Sequence, residues 1–120
     1  MLSENKKITE SIMREFKERA VKSFLDIIIL IEMKDRLLSG YDVISIIYKK
    51  YYFLISAGTV YSILYKLERD KFVEGNSNGK KTVFRLTEKG KFTIEIMLKE
   101  PLIKYNVEAF HRRFLNSINK

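Results

Sequence analysis

The residues best suited to chemistry in this chain lie between positions 56 and 85, and the chemistry they suit is the holding of a polyanion. Gly58, Ser62, Tyr65 and Arg69 recur on one side of a helical repeat, with Tyr61 and Lys66 on its flanks. Ser56 and Thr59 put hydroxyls at the start of that repeat, where free backbone N–H groups and the positive dipole end attract a phosphate. Gly58 lacks a side chain, so this first turn can come close to a sugar-phosphate backbone. Further on, Lys80 and Lys81 directly follow Asn78-Gly79, and Arg85 stands on the returning segment, pointing to either face. Lysines, hydroxyls and backbone N–H groups of this kind engage phosphates, while Tyr61, Ser62, Tyr65 and Lys66 have the reach for base edges or sugars. Tyr61 has a second reading as a packing residue with its hydroxyl exposed. Arg69 lies near the C-terminal end of the repeat, where a phosphate contact or a salt bridge suits it better than base readout. The face carries no asparagine, glutamine or early arginine, so specificity is expected from DNA shape and from hydroxyl- or water-mediated contacts.

The distribution of charge agrees with this. The net charge is +8, and residues 66–91 alone hold eight bases against four acids, half of the excess. Such a concentration is the footprint of a nucleic-acid binder. Catalytic constellations are missing: the single histidine, His111, stands beside Arg112 and Arg113 with no second metal ligand at a useful spacing. The serines lack a partnered base, no glycine-rich phosphate loop follows a strand, and the acids alternate with bases as ion pairs do. The expectation is a non-enzyme with no catalytic residue, no metal and no cofactor.

The elements that must position these residues can be read in order. At 120 residues the chain is one domain's worth, and its 46% hydrophobic and 32% charged content is that of a globular protein. The absence of cysteine excludes disulfides and thiolate metal sites. The longest apolar run, 27–31, is far short of the roughly 20 residues that span a bilayer. With no secretory-signal pattern at the start, a cytoplasmic protein with no membrane partner is expected. Ile8, Ile12, Phe16 and Ala20 predict a helix over 4–20, and the apolar run after it a second helix over 23–34, with no glycine or proline to separate the two. Ser39 with Asp42 three residues on predicts a capped helix to about 50. Residues 51–55 read as extended or turn. Ser56 opens the next helix, to about 70, with Val60, Ile63, Leu64 and Leu67 on its buried side. Strands over 72–75 and 81–86 flank Asn78-Gly79, a type I′ hairpin signal. Thr87 caps a helix to about 100, and Pro101 can begin a last one.

Helix, turn, helix, hairpin and helix in this order make a winged helix-turn-helix, whose second helix enters a groove while the hairpin touches the flanking backbone. The fold class is mainly α (α+β), with N- and C-terminal dimerisation helices. The division is 1–22 for the N-terminal helix, 23–91 for the winged helix and 92–120 for the C-terminal helices. Ile103, Val107, Phe110, Phe114 and Ile118 form a seam near heptad spacing, which a single winged helix cannot cover. Burial against a partner's copy, together with Ile8, Ile12 and Phe16, makes these the expected dimer interface.

Several of these residues resemble the PadR family of transcriptional regulators over about 24–91. The marks are Ser39-Gly40-Tyr41-Asp42, then Ser56-Ala57-Gly58-Thr59-Val60-Tyr61, Leu64 and Leu67-Glu68, and finally Arg85-Leu86-Thr87-Glu88-Lys89-Gly90. The chain departs from the family pattern at Ala57 and Ser62, where prolines are usual, and at Lys71, where a glycine often ends the helix. The resemblance implies a homodimer on a palindromic operator, usually a repressor, with a short C-terminal tail. Some members sense small aromatic or drug-like molecules; here Tyr41, Tyr48, Tyr51, Tyr52 and Phe53 can line a pocket or pack in the core, and the residues give an effector no further support. The reading is a sequence-specific regulator of double-stranded DNA. The alternatives are a winged-helix protein-interaction module and a non-specific architectural DNA binder.

Overall fold

The computed structural model describes residues 2–52 and 54–100. In chain order these are α1 (Leu2–Ser23), α2 (Leu25–Glu32), β1 (Leu38–Ser39), α3 (Gly40–Tyr51), α4 (Ala57–Arg69), β2 (Val73–Ser77), β3 (Thr82–Leu86) and α5 (Glu88–Lys99). The strands form one antiparallel sheet in the order β1-β3-β2, and the helix-turn-helix is α3–α4 with the β2–β3 hairpin as its wing.

Three of the helices start where a side-chain cap was expected. Ser39 Oγ accepts the Asp42 N–H at 3.1 Å while Asp42 Oδ2 accepts the Ser39 N–H at 2.8 Å, a full capping box. Ser56 Oγ accepts from Thr59 N–H, and Thr87 Oγ1 from Gly90 N–H at 3.0 Å. The end of α4 is a Schellman motif. Phe72 N–H donates to the Leu67 carbonyl at 2.9 Å, Lys71 N–H to the Glu68 carbonyl at 3.0 Å, and Lys71 takes φ 67°. Lysine thus occupies a left-handed position that a glycine would fill without strain.

Val60, Leu64 and Leu67 of α4 are buried with Leu25, Ile28 and Ile29 of α2, Val43 and Ile47 of α3, Phe84 and Leu86 of β3, and Ile94 of α5. Glu32, near the end of α2, ties that helix to α3 through Lys50 and to the following turn through Arg36, each at 2.6 Å. Burial, with the Glu32 carboxylate nearby, pushes the Tyr51 phenol up to about 12.

Several expectations need correction. The first two helices are not continuous: they part at Phe24, where the Ser23 hydroxyl donates to the Ala20 carbonyl and competes for it with the helix ladder. The short strand β1 was not foreseen. The hairpin is not type I′, because Gly79 alone has a positive φ, 88°, and Asn78 does not. Burial of Val73, Phe84 and Leu86 sets a register in which Ser77 pairs with Thr82, so residues 78–81 must span the gap as a longer loop. Helix α5 places Ile94 in the same core as α4. Of the aromatic group Tyr41, Tyr48, Tyr51 and Tyr52, Tyr51 alone is buried, and the others lie on the surface instead of in a core or pocket. Phe53 and the seam Ile103, Val107, Phe110, Phe114 and Ile118, with His111 and the last predicted helix, lie outside the described residues.

Candidate nucleic-acid interface

Helix α4 turns Ala57, Gly58, Thr59, Ser62, Tyr65, Lys66 and Arg69 outward, the face read from the helical repeat. Its first turn is open. A Cβ added at Gly58 would meet nothing within 4 Å, so no packing inside the chain demands glycine there. Ser56 Oγ and Thr59 Oγ1 stand 2.8 Å apart, with Ser56 Oγ already accepting the Thr59 N–H. One hydroxyl proton closes that pair, and the other is left to point outward as a donor.

The far end of the helix is closed. Thr87 O–H donates to the Lys71 carbonyl, Thr87 N–H donates to the Phe72 carbonyl at 3.1 Å, and Glu68 Oε2 accepts the Gly75 N–H of β2 at 2.8 Å. Gly90 permits this junction, since a Cβ there would lie 2.1 Å from the Phe72 carbonyl oxygen. The Thr-x-x-Gly sequence therefore works as a strap from α5 back to the end of α4.

Tyr61 follows its packing reading. It is half-buried, and its ring lies so close to Gly40 that a Cβ there would stand 2.4 Å from Tyr61 Cζ. Helix α3 thereby crosses α4 at the fifth residue of the latter. From this crossing a chain of rings runs outward to Tyr41 on one side and through Tyr65 to the buried Phe84 on the other. Tyr41 meets Tyr61 edge-on at 6.4 Å between centroids, Tyr65 lies 6.0 Å from Tyr61, and Phe84 of β3 is 6.2 Å from Tyr65. Tyr41 is 71% exposed and was missed as a site residue. A sequence signal for it exists: Tyr41, Ser45 and Tyr48 are spaced four and three, opposite the buried Val43, Ile47 and Tyr51.

The wing tip comes to the same place. Lys80 and Lys81 are exposed, and the Lys81 charge acts on Asp42 in the first turn of α3. The Asp42 carboxyl is held below its ordinary range first by the Ser39 backbone N–H, then by the Ser39 hydroxyl and the nearby Lys81 and Arg36, against a desolvation that raises it. Tyr41 against Tyr61 joins the start of α3 to α4, and the β1–β3 register, with Ser39 opposite Val83, carries the end of β3 and Lys81 toward the start of α3.

Some of the bases are paired within the chain. Arg19, Arg36, Lys50, Arg85 and Lys91 are in ion pairs, and Lys89 sits over the Phe72 ring. Many others, Lys34, Lys49 and Lys71 among them as well as Lys66, Arg69, Lys80 and Lys81, enter none of the salt bridges found among the described residues. Arg85, an expected phosphate contact, is among the paired bases. It faces Glu74 across the β2–β3 ladder and pairs with that carboxylate, three residues, or about 10 Å, from the Thr82 end of the strand.

The expected dimer stripe on α1 is bare. Ile8, Ile12 and Phe16 are exposed, joined by Met13, and residues 3–16 are exposed throughout. Among the described residues no helix is long and apolar enough to cross a membrane, and no group of acidic and histidine side chains could hold a metal.

Comparison with known proteins agrees with this geometry. Many solved structures are similar, and three of them show the range. A PadR-like transcriptional regulator from Bacillus cereus strain ATCC 14579 shares 22% identity at TM-score 0.63, over 76% of this chain and 94% of that one. A transcriptional regulator from Clostridium thermocellum shares 21% at TM-score 0.62, over 76% and 92%. Bacillus subtilis PadR, solved in complex with operator DNA, shares 25% at TM-score 0.54, over 63% of this chain and 47% of that one. The chain therefore spans about half the length of this last relative. A search of curated proteins finds no match. The model of the transcriptional regulator PadR-like family matches residues 29–96, more than half of the chain and all of the helix-turn-helix and wing. This winged-helix chain belongs to the PadR-like family of transcriptional regulators, which are not enzymes.

Proposed function

We propose that this protein binds double-stranded operator DNA as a homodimer and represses transcription from a palindromic site. The observation that supports the reading is the exposed outer face of α4 beside Tyr41, with exposed Lys80 and Lys81 on a hairpin whose strand β3 pairs with β1 at the start of α3. A surface of this kind fits a duplex: α4 lies in the major groove, and the wing reaches the adjacent backbone. Lys66, Lys80 and Lys81 neutralise phosphates, the open first turn at Gly58 meets the backbone closely, and the free hydroxyl proton of the Ser56–Thr59 pair donates to a phosphate oxygen. Tyr41 adds a further phosphate contact from α3. Ser62 and Tyr65 face the bases, and Tyr61 holds α4 against α3 at Gly40. Arg85 is left to its intramolecular pair. That a Bacillus subtilis relative was solved with operator DNA supports the same partner here.

The homodimer rests on α1. Its exposed apolar stripe is too large a cost for a lone helix in water, and a second copy is the economical cover. Two-fold symmetry then asks for two half-sites about one helical turn apart, hence a palindrome. Repression is the mode the family resemblance implies. The test is binding to the protein's own upstream DNA and to a random duplex across a salt series. Six lysine contacts per dimer give a slope of about −5 in log K against log salt, with tighter binding to one sequence. No binding to either duplex at low salt would overturn the reading and favour a protein-interaction module. A monomer by light scattering at micromolar concentration would overturn the dimer.

A further inference from the structure

Residues 54–65 contain no charged side chain, in a chain where 32% of residues are charged. Part of the stretch is core, since Ile55, Val60 and Leu64 are buried. The part that faces out is not. Leu54 is 76% exposed, the highest value among the exposed large hydrophobic residues described, and Ala57, Gly58 and Thr59 are exposed beside it. A lone exposed leucine is ordinary. Leu54 is informative by position, because it stands two residues before the Ser56 cap, in the extended segment that leads into the exposed first turn of α4.

A leading edge made of methyls, one hydroxyl pair and no amide or charge has little with which to read guanine, cytosine or adenine edges. Among the groups in the major groove it matches one well: the C5-methyl of thymine, which is read by apolar contact. We propose that the leading end of α4 recognises thymines through their methyl groups, with Leu54, Ala57 and the Thr59 γ-methyl as the contacting surface. This rests on the DNA-binding reading and supplies its missing base selectivity. Leu54 is then a specificity-determining residue.

The experiment uses a duplex selected by the full-length protein from a random library, and the same duplex with every thymine replaced by deoxyuridine. The replacement keeps the hydrogen-bonding edges and removes only the methyls. Each methyl buried is worth about fourfold in affinity, so loss of two or more should weaken binding about tenfold or more with the salt slope unchanged. Leu54→Ala should weaken binding to the thymine duplex and bring the ratio between the two duplexes toward one, with an unchanged thermal midpoint. Equal affinity of the natural protein for both duplexes would overturn the methyl reading while leaving DNA binding intact. A full thymine preference in Leu54→Ala would overturn the assignment of Leu54. Absence of binding to either duplex at low salt would overturn both readings together.

Discussion

A methyl group added at Gly90 would meet the Phe72 carbonyl oxygen at 2.1 Å, whereas one added at Gly58, near the opposite end of α4, would meet nothing within 4 Å. The two glycines mark two kinds of construction. At the C-terminal end, the Schellman bonds, the Thr87 strap and the Glu68–Gly75 bond tie α4 to the wing and α5. At the N-terminal end, helix propensity is given up: Gly58 costs about 0.5–1 kcal/mol against alanine with nothing inside the chain to require it. Stability is concentrated where the helix must be aimed, and withheld where a partner must approach.

Each contrast can be broken by measurement, beginning with the largest effect. Gly90→Ala should destabilise the fold by about 3 kcal/mol in urea unfolding, because either the α5 turn or the Phe72 carbonyl must move. A near-normal midpoint would show that the closed end is not closed. Replacing Lys80 and Lys81 together by alanine should leave stability alone and flatten the salt slope of a dimer from about −5 to about −2 on every duplex. Tyr41→Lys should steepen the slope by about 2 if a phosphate lies beside α3, and an unmoved slope would remove Tyr41 from the interface.

The smaller effects sharpen the same contrast. Lys71→Gly should raise stability by about 1 kcal/mol by relieving the left-handed lysine, with DNA binding unchanged. Gly58→Ala should raise stability by about 0.5–1 kcal/mol and weaken DNA binding, and a gain in both would deny that the open turn is kept for a partner. The smallest effect belongs to Asp42. Its carboxyl is held below the ordinary range in the folded state, so its contribution is present above about pH 4 and is lost as pH falls through its lowered value. Asp42→Asn should remove that part of the acid sensitivity, seen as a flatter stability profile below about pH 4.

The capped helices α3, α4 and α5, the buried and exposed sides of α4 and the existence of a hairpin after it were all legible beforehand. They depend on neighbours within four residues, or on a repeat that one helix carries by itself. Ser39 with Asp42, Ser56 and Thr87 show their caps in the sequence because a cap closes within three residues. The resemblance carried by Gly58-Thr59-Val60-Tyr61 and Leu86-Thr87 with Gly90 pointed to the family for related reasons. Thr87 donates to a backbone carbonyl and Gly90 lies against one with no room for a Cβ, and such contacts admit few other residues.

Tyr61, Tyr41, Arg85 and β1 were not legible, and they share a cause. What each does is set by a residue far away in the chain: Gly40 for Tyr61, Tyr61 for Tyr41, Glu74 for Arg85, Phe84 for Leu38. The hairpin loop belongs with them, since its length follows from a register chosen by burial of Phe84 and Leu86 against the helices and not by Asn78-Gly79. By itself the sequence determined the helices, their caps, the face α4 shows and the excess of positive charge on the wing, because propensity, capping and periodicity act locally. Only the tertiary structure decided which of those charges remain unpaired and which aromatic rings hold α4 in place, because both depend on which distant groups the packed core brings within a few ångströms.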